Sequence, residues 1–355
     1  THALIGTVHS LGVKLLQRFA YEAGVSPEVS IIADEDQQIL FNQSLSMVLT
    51  EARVIRMERL CDQLGLSGNA YFDWRQEVRA LTEIARANDF QEDVLEASKN
   101  ASFASFAELL GPVNPNGGPS AETLSRVLEA TIERLGTNGD TTLKTAEVAK
   151  TLQQTLRELS LKGTLTWRQW AQLGKLQPGA KSRDDMNALR ELALGHLQDP
   201  AFRQDIREFI AEVFDLAMGA IREYQEYKQK RGLIDYTDME ALVKRLLGNE
   251  DVRRVLADEL DLLLVDEFQD TSPMQLEIFL KLSGLANYSI WVGDPKQSIY
   301  GFRGAAPELM QAIISQNGGI KPEDIQEFSW RSREDLVAAA NAIFTRAFAH
   351  MPPEQ

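Results

Sequence analysis

The chain has 355 residues, more than one ordinary hydrophobic core holds, so two or three packed units are expected. Its hydrophobic content of 44% and charged content of 25% are ordinary for a globular chain, and no apolar run is long enough to span a bilayer, so a membrane role is not expected. The formal charge of -15 argues against a protein that coats DNA broadly, because phosphate binding needs clustered Lys and Arg, but it leaves room for a narrow basic groove. The single cysteine, Cys61, excludes an internal disulfide framework and suits a reducing compartment. Its helical spacing with Val54, Met57, Leu60 and Leu64 marks it as a small core residue. The four histidines, His2, His9, His196 and His350, have no partners at metal-ligand spacing, so no structural zinc site is expected.

In chain order, the apolar run Ala3 to Val8 reads as a buried parallel strand. It is followed by HSLGVKLLQRFAYEAG, where Leu11, Leu15, Leu16 and Phe19 mark an amphipathic helix that closes near Gly24. From about Asp34 to Arg231 the pattern is one amphipathic helix after another, punctuated by the loop signals GPVNPNGGPS, GTNGDTT and QPGAKSRDD. No fixed-period repeat and no low-complexity tract occurs. In RGLIDYTDMEALVKRLL, Asp235 and Asp238 are placed for helix capping. Leu262 to Val265 and Ser289 to Val292 read as two further buried parallel strands. The helix between them is capped by Ser272, carries Pro273 in its first turn, and presents Leu276, Phe279 and Leu280 as its apolar face. NGGIKPEDI reads as a linker, after which EFSWRSREDLVAAANAIFTRAF starts a new strand and helix. Strands alternating with helices predict an α/β sheet, and the simplest arrangement is an all-helical domain inserted between two of its strands.

In open α/β sheets, ligands bind beyond the carboxyl ends of the strands. LLLVDEFQD places Asp266 and Glu267 there. A carboxylate in that position can hold Mg²⁺ through water, and a neighbouring glutamate can orient or deprotonate an attacking water. An isolated Asp-Glu pair would more often simply start a solvated turn. After the next strand, WVGDPKQSIYGFRGA offers a tight turn at Gly293-Asp294-Pro295, an amide at Gln297, and two aromatics, Tyr300 and Phe302, on a glycine-bearing segment. Exposed aromatics of that kind stack on bases, worth about 1–3 kcal/mol per base, although Tyr and Phe are more commonly core.

The full string DEFQDTSPMQ resembles motif II of the superfamily 1 DNA helicases of the UvrD/RecB group, and PKQSIYGFRGA resembles their motif III, in wording closest to the RecB/AddA-like (exonuclease V beta-like) branch. Thr7-Val8-His9-Ser10 is similar to the family's TxHS segment, and RGLIDYTDMEALVKRLL to its LDFDDL segment. Ser329-Trp330-Arg331-Ser332 resembles motif IV, usually NYRS, with Trp where Tyr is common. The resemblance implies a RecA-like P-loop NTPase core with a large inserted all-helical domain. It implies residues 1–33 as the first part of motor domain 1A, 34–231 as helical insertion 1B, 232–318 as the second part of 1A, and 319–355 as the start of motor domain 2A.

The function implied is ATP-dependent, 3′-to-5′ DNA translocation and unwinding in repair or recombination. ATP and Mg²⁺ are the implied cofactors and single-stranded or duplex DNA the partner, in the cytoplasm. Asp266 would hold Mg²⁺, Glu267 would act on water, Gln297 would sense the nucleotide, and Arg331 would stabilise γ-phosphate charge. Trp330 would stack on adenine or pack in the core, and Arg303 would meet Glu267 or the phosphates or form a surface ion pair. Thr7, His9, Tyr300 and Phe302 would contact single-stranded DNA, with Ser10 as a plain N-cap an equal account of the first segment. The RecB/AddA branch further implies a nuclease domain and a second subunit of a helicase–nuclease complex.

No G-x-x-x-x-G-K-[ST] loop occurs in the sequence, and the chain starts at Thr1. An internal piece of a motor is the expectation, and this stretch taken alone is expected to hydrolyse ATP poorly or not at all. The alternative is a degenerate, non-catalytic DNA-binding or regulatory module of the same family. A more distant one is a nucleotide hydrolase acting on protein.

Overall fold

The computed structural model describes residues 3–67, 72–294, 297, 307–316, 319–326 and 330–347. The chain forms two compact units. One comprises Thr1–Ile32, Ala87–Asp89 and Gly232–Gln355, and the other Ala33–Arg86 and Phe90–Arg231. No helix among the described residues is long and apolar enough to cross a membrane.

The chain opens differently from its apolar pattern. Residues 3–7 form no strand, Leu4 and Ile5 are exposed, and helix α1 (Val8–Arg18) begins inside the expected strand. An apolar run becomes a strand only when a neighbour takes up its backbone hydrogen-bonding groups, and no described strand pairs with these residues. Thr7, not Ser10, is the N-cap: its hydroxyl accepts the Ser10 N–H at 3.2 Å, and the Ser10 hydroxyl donates back to the Thr7 carbonyl at 2.9 Å. A short helix α2 (Ala20–Ala23) ends at Gly24, whose φ of +68° is the left-handed conformation that glycine adopts without penalty. Strand β1 (Ser30–Ile31) follows.

The second unit is built from α3 (Asp34–Val48), α4 (Glu51–Leu64), α5 (Trp74–Ala87), α6 (Glu92–Leu110), α7 (Ala121–Thr137), α8 (Leu143–Lys162), α9 (Trp167–Lys175), α10 (Asn187–Leu194) and α11 (Pro200–Arg231). Hydroxyls of Thr50, Ser120, Thr142 and Thr166 cap four of these helices, each accepting the N–H three residues on. One core gathers Met57, Leu60 and Cys61 of α4 with Trp74 and Val78 of α5 and Leu216 and Tyr224 of α11. Cys61 is buried there, and burial pushes its thiol up to about 11. A separate core joins α7 and α8 through Leu124, Leu128 and Leu152 to Trp170, Met186 and Leu189. The loop signals GTNGDTT and QPGAKSRDD meet at Asp140, whose carboxylate accepts the hydroxyls of Ser182 and Thr145. These donors hold the carboxylate well below the usual range.

Returning to the first unit, β2 (Leu233–Ile234) pairs in parallel with β1, with Ser30 opposite Leu233 and Ile31 opposite Ile234. Two residues per strand are too few to stand out as a periodic pattern. Asp235 and Asp238 form the capping box of α12 (Tyr236–Leu246), in line with their reading as capping residues. Next come α13 (Glu250–Glu259), β3 (Leu262–Val265), α14 (Pro273–Ser283) and β4 (Tyr288–Trp291). β3 and β4 pair in parallel, with Val265 opposite Trp291, which sets β4 one residue earlier than its apolar run suggests. Neither strand is buried as its apolar run suggests: Leu264 of β3 and Tyr288 and Ile290 of β4 are exposed, and only Val265, 4% exposed, is buried, packing with Phe268, Leu276 and Met310. Ser272 and Pro273 start α14 as expected, but Leu280 is exposed and Met274 and Ile278 join Leu276 in the core instead. Helices α15 (Pro307–Gln316) and α16 (Glu334–Ala347) complete the described elements.

Leu152 is fully buried and Leu161 of the same helix is 85% exposed. Leu152→Ala should cost about 2–5 kcal/mol in urea unfolding, while Leu161→Ala should stay within about 0.5 kcal/mol of the parent.

Candidate active site

β3 and β4 leave the sheet side by side because they are parallel and in register at Val265 and Trp291. The stitching continues past the last paired residues. The Val292 N–H donates to the Val265 carbonyl at 2.8 Å, and the Phe268 N–H donates to the Val292 carbonyl at 3.0 Å. Asp266 and Glu267 therefore stand at the carboxyl end of a strand, both exposed, with Gly293 and Asp294 beside them on the neighbouring strand's exit.

The backbone here is strained. Glu267 has φ 53° and ψ 40°, and the only other non-glycine residue with positive φ among the described residues is Asp89. A bulky residue in this left-handed region costs of order 1–3 kcal/mol and persists where its surroundings hold it. Phe268 is what holds it: the ring is 5% exposed and packs edge-on against Trp291, with centroids 4.8 Å apart. The left-handed residue turns the chain abruptly from strand into the 3₁₀ turn Phe268–Asp270, and the capping box of Ser272 and Gln275 then starts α14.

A chain of hydrogen bonds runs across the two strand exits. The buried Gln269 donates through Nε2 to Glu267 Oε2 at 2.5 Å, and its Oε1 accepts the Asp294 N–H at 2.9 Å. Gln297 donates through Nε2 to Asp294 Oδ2 at 3.0 Å, and its own N–H donates to the Asp294 carbonyl at 3.0 Å. Gly293 is required by this arrangement, since a Cβ there would lie 2.8 Å from Gln269 Oε1 and 3.2 Å from the Phe268 nitrogen. Gln269 and Asp294 received no role from the sequence. A buried amide inside DEFQD was the available signal, but which groups it would join depends on the pairing of the strands.

The turn concentrates negative charge. Asp266 Oδ1 accepts the Glu267 N–H at 2.9 Å, and its other oxygen has no hydrogen-bond partner among the described residues. Asp270 Oδ1 is buried without a hydrogen-bond partner, and burial, with the Glu267 charge second, raises this carboxyl above the usual aspartate range. No group of three or more His, Cys, Asp or Glu is arranged to hold a metal among the described residues. Asp266 nonetheless fits Mg²⁺, which characteristically takes one or two carboxylates together with water and phosphate oxygens rather than an all-protein cage.

The structure thus brings Asp266, Glu267 and Gln297 together. Thr7 and His9 lie elsewhere in the same unit, at the start of α1, where His9 Nε2 is 3.3 Å from Glu240 Oε1 and its ring stacks on Tyr236 at 4.2 Å. Trp330 is 94% exposed, and Arg331 is exposed and forms no ion pair among the described residues. Tyr300, Phe302 and Arg303 lie outside the described residues.

The model of the UvrD/REP helicase N-terminal domain matches residues 1–317. The chain belongs to this family. Membership implies a RecA-like α/β core. The curated relatives are subunits of ATP-dependent helicase/nucleases. That of Syntrophomonas wolfei is 31% identical over 172 residues, covering 46% of this chain and 14% of the relative. The corresponding protein from Listeria welshimeri is 26% identical over 402 residues, covering 97% of the chain and 31% of the relative. That of Limosilactobacillus fermentum is 28% identical over 417 residues, covering 96% and 30%. The UvrD/REP-type chain thus spans less than a third of each of these relatives.

Two outcomes follow from this geometry. Because the folded state holds Asp270 at a raised pKa, the native protein binds the more protons there, so stability falls as pH rises from the ordinary aspartate range through the raised value. Asp270→Asn should therefore raise Tm at neutral pH, with the gain fading as the pH is lowered through that window. Gly293→Ala should lower stability by about 1–3 kcal/mol in urea unfolding, because the Phe268 backbone and the Gln269 amide must both shift to admit the methyl group.

Proposed function

We propose that this chain belongs to an ATP-driven DNA helicase or translocase motor, which moves 3′ to 5′ along single-stranded DNA and unwinds duplex in repair or recombination. The observation that carries the reading is the hydrogen-bonded line Glu267–Gln269–Asp294–Gln297 at the carboxyl ends of two parallel strands. In this reading residues 1–33 and 232–318 belong to motor domain 1A, 34–231 form the all-helical insertion 1B, and 319–355 begin motor domain 2A.

Bound MgATP supplies the phosphoanhydride to be cleaved. Asp266 would hold the Mg²⁺ that neutralises phosphate charge. Glu267 orients and deprotonates the attacking water, and the Gln269 amide fixes the direction of that carboxylate. Gln297, tied to Asp294, reports the state of the nucleotide from the neighbouring strand exit. Arg331 stabilises developing γ-phosphate charge, and the exposed indole of Trp330 stacks on adenine. Arg303 bridges Glu267 or the phosphates, while Thr7, His9, Tyr300 and Phe302 contact the DNA strand. The naming of the relatives as subunits of a helicase/nuclease supports a second protein partner for the whole protein, with DNA as the common substrate.

In the natural full-length protein, Glu267→Gln should lower the kcat of ATP hydrolysis by about 10²–10⁴-fold with nucleotide affinity retained. Substituting Tyr300 and Phe302 together with alanine should weaken single-strand binding measured by fluorescence anisotropy. Wild-type turnover in the Glu267 variant would overturn the assignment.

A further inference from the structure

We infer that Glu240 is a positioning residue that makes ATP turnover respond to DNA, by joining the helix start at Thr7–Ser10 to the helix that follows the carboxylate turn. The inference rests on the motor reading above and gives a task to Glu240, a residue of the LDFDDL-like segment that received none from the sequence.

Glu240 sits in the second turn of α12 and is 8% exposed. A carboxylate so nearly buried needs a donor; Oε1 has one in Gln275, and the His9 ring approaches the same oxygen. His9 Nε2 lies 3.3 Å away, and Gln275 Nε2 donates at 2.7 Å. His9 is the second residue of α1, and Gln275 is the third of α14. The Gln275 amide is itself committed: its Oε1 accepts the Ser272 N–H at 3.3 Å, closing the capping box that begins α14 immediately after Asp270-Thr271. One continuous line therefore runs from His9 through Glu240 and Gln275 to the end of the turn that carries Glu267.

The surroundings make this line stiff. Gly12 of α1 leaves no room for a Cβ against Met239 Sδ, so α1 and α12 are in close contact one residue from Glu240. Tyr236 of α12 stacks on the His9 ring. A DNA phosphate that draws His9 away takes a polar neighbour from this carboxylate, whose hydrogen-bond donor is the amide that caps α14. Losing a partner from a buried charged group is costly, so the Glu240–Gln275 bond must readjust, and with it the start of α14. The two ends of the line are thus biased by a shared acceptor, which is the physical element that coupling between sites requires.

The test compares wild type with Glu240→Ala in the natural full-length protein. It reads ATPase kcat with and without single-stranded DNA, and the single-strand Kd with and without a non-hydrolysable ATP analogue. Glu240→Ala should cut both the DNA stimulation and the nucleotide effect on DNA affinity by at least about fivefold, while DNA-free kcat stays within about twofold. Should that variant fail to fold, the isosteric Glu240→Gln carries the same test, since it removes the carboxylate charge that faces His9 but keeps an oxygen for Gln275. Unchanged stimulation, or a DNA-free kcat that falls in parallel with the stimulated one, would overturn the role of Glu240. A wild-type protein whose hydrolysis ignores DNA would instead overturn the motor reading itself.

Discussion

The candidate site depends on the parallel pairing of two four-residue strands. With Val265 opposite Trp291, the chain leaves β3 and β4 at the same level and on the same edge, and only then can one side chain reach both exits. Gln269 is that side chain. It donates to Glu267 on its own turn and accepts from Asp294 on the neighbouring one, a use of both ends of an amide that neither a carboxylate nor a lysine could make. A slip of one residue in the pairing would exchange buried for exposed faces and take Asp294 away from Gln269.

The same turn is where the unit accepts unfavourable local structure. Glu267 is left-handed, Asp270 keeps a buried oxygen without a hydrogen-bond partner, and acidic groups are crowded on adjacent strand exits. Each feature opposes stability on its own, and the apolar packing of Phe268 on Trp291 and Val265 opposes their release. Residues held in such conformations persist only where the surrounding structure over-determines them.

Much of the site was legible in the residue order. DEFQDTSPMQ after an apolar run placed Asp266 and Glu267 at a strand end, and Ser272-Pro273 marked the start of the next helix, because capping and strand-to-turn chemistry are local. Asp235 and Asp238 were legible as a capping box for the same reason. Other features were not. Ala3 to Val8 has the composition of a strand yet pairs with no described strand, whereas Ser30–Ile31 and Leu233–Ile234 form one with almost no signal, since pairing is set by residues some two hundred positions away. Leu280 carries a core residue's chemistry on an exposed position, and Ile278 takes its place, because the direction from which the core approaches α14 is not written in its own sequence.

By itself, then, the sequence determined the kinds of chemistry present: carboxylates ending a strand, an amide and aromatics after the next one, hydroxyl and carboxylate caps, and motif strings that place the chain in the UvrD/REP helicase family. These are properties of neighbouring residues, fixed by short-range backbone and side-chain physics. Only the tertiary structure decided that Gln269 ties Glu267 to Asp294 and that His9 and Gln275 converge on one oxygen of Glu240. The physical reason is common to both. A hydrogen bond is decided by direction and reach within about 3 Å, and for residues distant in sequence that geometry exists only once the strands are in register and the helices are packed.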